Sequence, residues 1–193
     1  GSGIVHSEMP SPAMHERGGR AHSFQIWLNL PAAHKMAAQR YQFIANDQMP
    51  LGHSEDGLVT VKVIAGEAYG VTAKIDTYVP VTLQDWDMQP GATAKPVMPP
   101  EQQMALYLFE GSLAVGPRAR IIEEGQLVIF GDGGAIDLTL DAGAETPARF
   151  LLFGGVPIGE PIARHGPFVM NTREELMQAF DDYQAGRMGL IAR

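Results

Sequence analysis

The sequence predicts an all-β protein closed by one C-terminal helix, and three observations carry that expectation. Glycine and proline, 22 and 14 of 193 residues, break the chain into apolar runs of strand length. Several of these runs alternate. In Phe24-Gln25-Ile26-Trp27-Leu28-Asn29-Leu30 the even positions share one face of an extended backbone. Near the end, Thr172-Arg173-Glu174-Glu175 has the form of a capping box, in which a hydroxyl caps the first turn and a glutamate three residues on reaches back. Short strands joined by turns at this spacing point to a sandwich or barrel.

Taken in chain order, strands are expected over 23–30, 58–65, 74–79, 82–88, 104–110, 112–115, 119–122, 126–130, 135–140 and 148–154. Pro90-Gly91 and Pro99-Pro100 bracket a loop before the 104–110 strand. Glu110-Gly111 and Gly131-Asp132-Gly133-Gly134 read as tight turns. A short helical connection is expected within 32–40, after Pro31. The C-terminal helix places Leu176, Phe180 and Tyr183 at helical spacing, with Met177 and Ala179 alongside, and Gly186 is a natural residue to end it. Its expected role is to cover one end of the β core.

Composition narrows the function. The chain is 45% hydrophobic and 19% charged, as ordinary globular proteins are. No apolar run reaches the roughly 20 residues of a membrane-spanning helix. Fourteen basic residues against 22 acidic ones give a net charge of −8, and the basic ones are scattered, so direct binding to nucleic acid is not expected. A role at DNA would run through another protein. The absence of cysteine removes disulfides, thiolate nucleophiles and cysteine-ligated metal sites. With no basic-then-apolar leader in view, a cytoplasmic location is the expectation. There is no G-x-S-x-G elbow and no phosphate-binding P-loop. Glu123-Glu124, Glu174-Glu175 and Asp181-Asp182 lie where solvated charge belongs. Trp27 and Trp86 fall in expected strands and read as core or pocket wall.

The candidate chemistry lies in His6-Ser7-Glu8. In an extended segment His6 and Glu8 point the same way and can reach one ion. Imidazole nitrogen with carboxylate oxygen suits Fe(II), Mn(II), Ni(II) or Zn(II), and open positions on such an ion suit oxygen chemistry. Alone, the H-x-E pattern is equally satisfied by two solvated side chains. His15 and His22 flank the loop Arg17-Gly18-Gly19-Arg20, and His22 is placed to approach His6 or to stay on the surface. His34 belongs to the helical connection, His53 to a turn, and His165 is expected to pack beside the tail helix.

Longer blocks add a family. Gly3-Ile4-Val5-His6-Ser7-Glu8-Met9, Phe24–Pro31 followed by Arg40-Tyr41-Gln42, Glu160-Pro161-Ile162 and His165–Thr172 followed by Glu174-Glu175 together resemble the pirins of the cupin superfamily. The resemblance implies two cupin barrels, the first holding iron through three histidines and one glutamate. His6 and Glu8 match two of those ligands. The other two belong to an upstream H-P-H-R-G motif that this sequence does not contain. The expected architecture is therefore a bicupin with an incomplete first barrel. Residues 1–70 are its remnant and connecting segment, 71–170 a second barrel without metal ligands, and 171–193 a helical tail. The resemblance further implies a quercetin 2,3-dioxygenase-like activity on a flavonol, with Glu8 as ligand and as catalytic base and Fe(II) or another divalent transition metal as cofactor. An alternative is an iron-dependent regulator that binds a transcription factor or a metabolic enzyme. The missing strands are expected to belong to a separate polypeptide, to be supplied by another copy through swapping, or to have been lost from a fragment, and without them the isolated chain is expected to be inactive.

Overall fold

The computed structural model describes residues 1–10, 12–131, 138–139 and 147–189. They form two compact units: Gln42–Pro157, and Gly1–Tyr41 together with the described residues from Ile158 onward. The chain thus divides at 41/42 and 157/158, where the sequence expectation drew its lines at 70/71 and 170/171.

The 42–157 unit is β throughout. Its strands are β1 (Leu51–His53), β2 (Val59–Ala65), β3 (Glu67–Ala68), β4 (Val71–Thr72), β5 (Val81–Met88), β6 (Thr93–Ala94), β7 (Gln103–Glu110), β8 (Ser112–Val115), β9 (Arg120–Glu123), β10 (Leu127–Ile129), β11 (Leu138–Thr139) and β12 (Ala148–Gly155). A six-stranded sheet runs β1-β2-β5-β12-β7-β10, and a four-stranded sheet runs β6-β11-β8-β9. The pairs within the two sheets are antiparallel, and the central strands β2, β5 and β7 largely alternate buried and half-buried side chains. β2 shows why its residues make a strand. Val59, Val61, Val63 and Ala65 are buried while Thr60, Lys62 and Ile64 between them are half-buried, and β-branched side chains suit such a surface.

The inward faces of β2, β5, β7, β8 and β12 close one core that includes Trp86, Met88, Leu106, Leu108, Leu113, Phe150 and Leu152. Trp86 stacks on Phe150, ring centroids 5.7 Å apart. Burying the indole requires a partner for its N–H. Trp86 Nε1 donates to Gln84 Oε1 at 2.9 Å, and Gln84 Nε2 donates to the Glu67 carbonyl at 2.9 Å. Gly154 has a steric reason. A Cβ there would lie 2.6 Å from the Gln103 carbonyl oxygen and overlap the Met104 sulfur.

On the outward face, a register shift between Arg149 and Phe150 in the β12–β7 pairing sets Arg149 among acids. Its guanidinium lies 3.8 Å from Asp85, 3.8 Å from Asp87 and 3.6 Å from Glu110, and Lys62 lies 3.7 Å from Asp85. Burial pushes the Asp85 carboxyl above its ordinary range, against the pull of Arg149 and Lys62.

The second unit contributes α1 (Pro12–Arg17), α2 (Ala32–Lys35), the hairpin β13 (Ala163–His165) and β14 (Phe168–Met170), and α3 (Arg173–Gln184). The capping box of α3 is as expected. Thr172 Oγ1 accepts from Glu175 N at 3.2 Å, and Glu175 Oε2 accepts from Thr172 N at 3.0 Å. Gly186, in the left-handed region at φ 72°, follows the C-terminal end. Phe180 meets the edges of His165 and Phe168 at 5.3 and 4.9 Å, so His165 packs beside the tail helix as expected.

Several expected elements are corrected. Residues 23–30 form no ladder among the described residues, because alternation supplies a face but not a neighbouring strand edge. Residues 74–79 are not a strand either: the Asp76 backbone donates to and accepts from the side-chain amide of Gln42 at 3.0 and 2.8 Å, which replaces a ladder. The connection after Pro31 is helical only over Ala32–Lys35. Pro12–Arg17 is helical, so Arg17, the first residue of the expected loop Arg17–Arg20, ends α1 instead. His53 sits on β1 rather than in a turn. Val59–Ala65, within the 1–70 span expected as first-barrel remnant and connecting segment, pairs in the six-stranded sheet of the 42–157 unit. The expected turn residues 132–134 and, apart from Leu138–Thr139, the expected strand 135–140 lie outside the described residues.

Two outcomes test this packing. Gly154→Ala is expected to cost about 2 kcal/mol in urea unfolding, since backbone and sulfur crowd the added methyl. A carboxyl whose native pKa lies above its unfolded value holds its proton more tightly when folded, so its contribution to stability falls as pH rises through that interval. Urea unfolding at a series of acidic pH values is therefore expected to show Asp85→Asn gaining stability relative to the parent chain as pH rises.

Candidate metal centre

Residues 1–10 form neither helix nor strand. Their placement rests on separate contacts, among them a bond from Ser2 N to the Ala37 carbonyl at 2.8 Å. His6 and Glu8 nevertheless meet, His6 Nε2 lying 3.4 Å from Glu8 Oε1. Two donors on adjacent positions of one ion, with bonds of about 2.0–2.2 Å, span a similar distance. Glu8 Oε2 is held separately, accepting from Gln25 Nε2 at 3.2 Å. One carboxylate oxygen thus faces the imidazole and the other faces an amide donor, which fixes the roll of the carboxylate.

Fit to a metal is partial. The donor types suit a borderline divalent ion. Among the described residues, however, no group of three or more His, Cys, Asp or Glu side chains gathers as a metal site. The pair provides two positions of a shell, and His22 does not add a third; it lies against Phe24, centroids 4.9 Å apart. The His6 and Glu8 side chains are 49% and 65% exposed. The remaining histidines fall elsewhere: His15 on α1, His34 on α2, His53 with Nδ1 3.2 Å from Thr60 Oγ1, and His165 in the aromatic packing of α3.

The same unit carries a set of polar contacts that the sequence did not single out. Asn29 Oδ1 accepts from Leu30 N at 3.0 Å and from Lys35 Nζ at 2.6 Å. Lys35 is buried, and burial pushes its ammonium below the usual lysine range, opposed by the carboxylates of Glu160 and Glu175. Glu160 Oε2 accepts from Ala32 N at 2.7 Å and from Asn171 Nδ2 at 2.9 Å. Gln25, Asn29 and Glu160 all fall inside sequence blocks already noted, but short-range pattern does not reveal a contact 128 residues long. Trp27 is neither in a strand nor in a core. It is 54% exposed, with the Arg164 guanidinium 5.0 Å from its ring centroid.

Comparison with known proteins gives a consistent set of likenesses. Residues 83–189 match the model of the pirin C-terminal cupin domain. The chain is 41% identical over 189 residues to a pirin-like protein of Caulobacter vibrioides and 35% identical over 193 residues to human pirin. These alignments take in 97% and 98% of the chain but 64% and 63% of the two relatives, so it spans under two thirds of their length. Among solved structures, it resembles the crystal structure of quercetin 2,3-dioxygenase from Acinetobacter baumannii, with a TM-score of 0.76 at 30% identity, over 86% of this chain and 56% of that one.

Proposed function

As the chain belongs to the pirin family of cupin-fold proteins, we propose that it contributes His6 and Glu8 to a divalent transition-metal site, with Fe(II) as the preferred ion, in a quercetin 2,3-dioxygenase-type oxidoreductase. The observation that carries this reading is the 3.4 Å approach of His6 Nε2 to Glu8 Oε1, with the second carboxylate oxygen tied to Gln25. The remaining ligands come from outside the described residues, for example from another chain. When bound, iron supplies open coordination positions for oxygen chemistry.

The protein's own residues then have separate tasks. His6 offers its Nε2 as a ligand nitrogen. Glu8 is the base positioned to take the hydroxyl proton of a flavonol, and Gln25 Nε2 orients that carboxylate through its bond to Oε2.

Metal content per chain, measured by elemental mass spectrometry after purification with Fe(II) present, tests the assignment. Iron is expected in the parent protein and is expected to fall at least about tenfold in His6→Ala, since a lost ligand leaves an incomplete shell. Equal metal in both proteins, or none in either, would remove His6 and Glu8 from the role. A second outcome concerns Glu8 as base. In the assembly that supplies the remaining ligands, Glu8→Gln is expected to lower oxygen uptake with quercetin by about a hundredfold or more, the scale of a general base.

A further inference from the structure

The sequence block Glu160-Pro161-Ile162 has no part in the ligand pair, yet its carboxylate occupies an informative place. We propose that Glu160 is a positioning residue for the His6–Glu8–Gln25 site and acts through α2. The link to metal affinity rests on the reading above; the link to Gln25 does not.

α2 is only four residues long, Ala32–Lys35, and helices that short do not persist without outside support. Its N-cap, Pro31, makes no side-chain capping bond. Glu160 takes that role from 128 residues away, accepting from Ala32 N at 2.7 Å. The same oxygen accepts from Asn171 Nδ2 at 2.9 Å, and Asn171 N in turn donates to Glu175 Oε2 at 2.8 Å, inside the α3 capping box. The external cap is therefore anchored to the best-formed helix start of its unit. The negative charge also lies in reach of the buried Lys35 ammonium, which donates to Asn29 Oδ1 at 2.6 Å.

α2 lies between two connections to the candidate site, one through the chain before it and one through the residues just after it. Upstream, the chain runs from Gln25 through Asn29 and Pro31 directly into Ala32. Downstream, the Ala37 carbonyl accepts from Ser2 N at 2.8 Å, four residues before His6. A carboxylate that fixes the start of α2 thus sets the position of Gln25 on one side and of the His6–Glu8 segment on the other. A shift of α2 would loosen the Gln25–Glu8 bond without altering any ligand.

The test uses the whole chain with Glu160→Ala and Glu160→Gln, read by NMR without metal and by Fe(II) titration. In Glu160→Ala the Ala32 amide is expected to exchange roughly tenfold faster, the scale of one lost hydrogen bond. The Gln25 side-chain amide resonance, which senses the Glu8 contact, is expected to move. The Glu175 amide, bonded to Thr172 Oγ1, stays as the internal reference. Glu160→Gln keeps an acceptor and is expected to restore most of both effects. Should Glu160→Ala not fold, Glu160→Asp carries the test, since it keeps the charge but withdraws it from Ala32, and it must show the same two changes. An unmoved Gln25 amide, or an unchanged Ala32 exchange rate, overturns the proposal whatever the metal result. Fe(II) affinity is expected to fall about tenfold in Glu160→Ala with partial recovery in Glu160→Gln. If His6→Ala also leaves Fe(II) binding unchanged, the metal reading fails while the NMR outcome still decides the role of Glu160.

Discussion

Eight consecutive cross-strand pairs, from Ala148 opposite Met88 to Gly155 opposite Val81, fix the register of β12 on β5, and the 42–157 unit is organised around that ladder. Side chains on a strand have period two, so a slip of one residue would send the whole inward set outward. In the observed register Phe150 comes opposite Trp86 and the two rings stack. The same register leaves Asp85 and Asp87 on the far face, where Arg149 meets them. Core and surface charge are thus two consequences of one alignment. The buried amide of Gln84 depends on it as well, since it links the Trp86 indole to the β3 backbone inside the core.

The other unit is held in a different way. Apart from the β13–β14 hairpin, its described backbone before α3 has no ladder to satisfy it, and side chains take over. Carboxylates of Glu8, Glu160 and Glu175 and the amides of Gln25, Asn29 and Asn171 bind backbone or one another across gaps of one to 128 residues. Hydrogen bonds to charged groups are the stronger kind, which suits a region with little apolar burial of its own. Lys35 illustrates the cost and the remedy. An ammonium is poorly tolerated under cover, and two acids with one amide oxygen stand around it.

The sequence was most readable where local chemistry and tertiary outcome coincide. Val59–Ala65, Val81–Met88 and Gln103–Glu110 alternate because their strands are paired on both sides and packed on one face. The α3 capping box is encoded within four residues and needs nothing distant. Reading failed where the outcome turns on a partner far along the chain. Phe24–Leu30 alternates as cleanly as any strand, yet alternation does not say which edge will receive it. Ala119 was included in a strand, but its φ of 47° makes it a turn residue, so the strand starts at Arg120. The His6–Glu8 approach was anticipated from strand periodicity and arises without a strand, which makes the agreement one of chemistry rather than of geometry. Lys35 and Glu160 look like ordinary surface charges in sequence, because burial of a long polar side chain leaves no local mark.

The two tryptophans fall one to each unit, and their surroundings are opposite. Trp86 is 2% exposed, stacked and hydrogen-bonded inside the β core, while Trp27 is 54% exposed beneath a guanidinium. Indole emission follows the polarity around the ring, so the molecule carries two built-in optical reporters of different colour. One registers the integrity of the β core, and the other the state of the segment that joins Gln25 to α2.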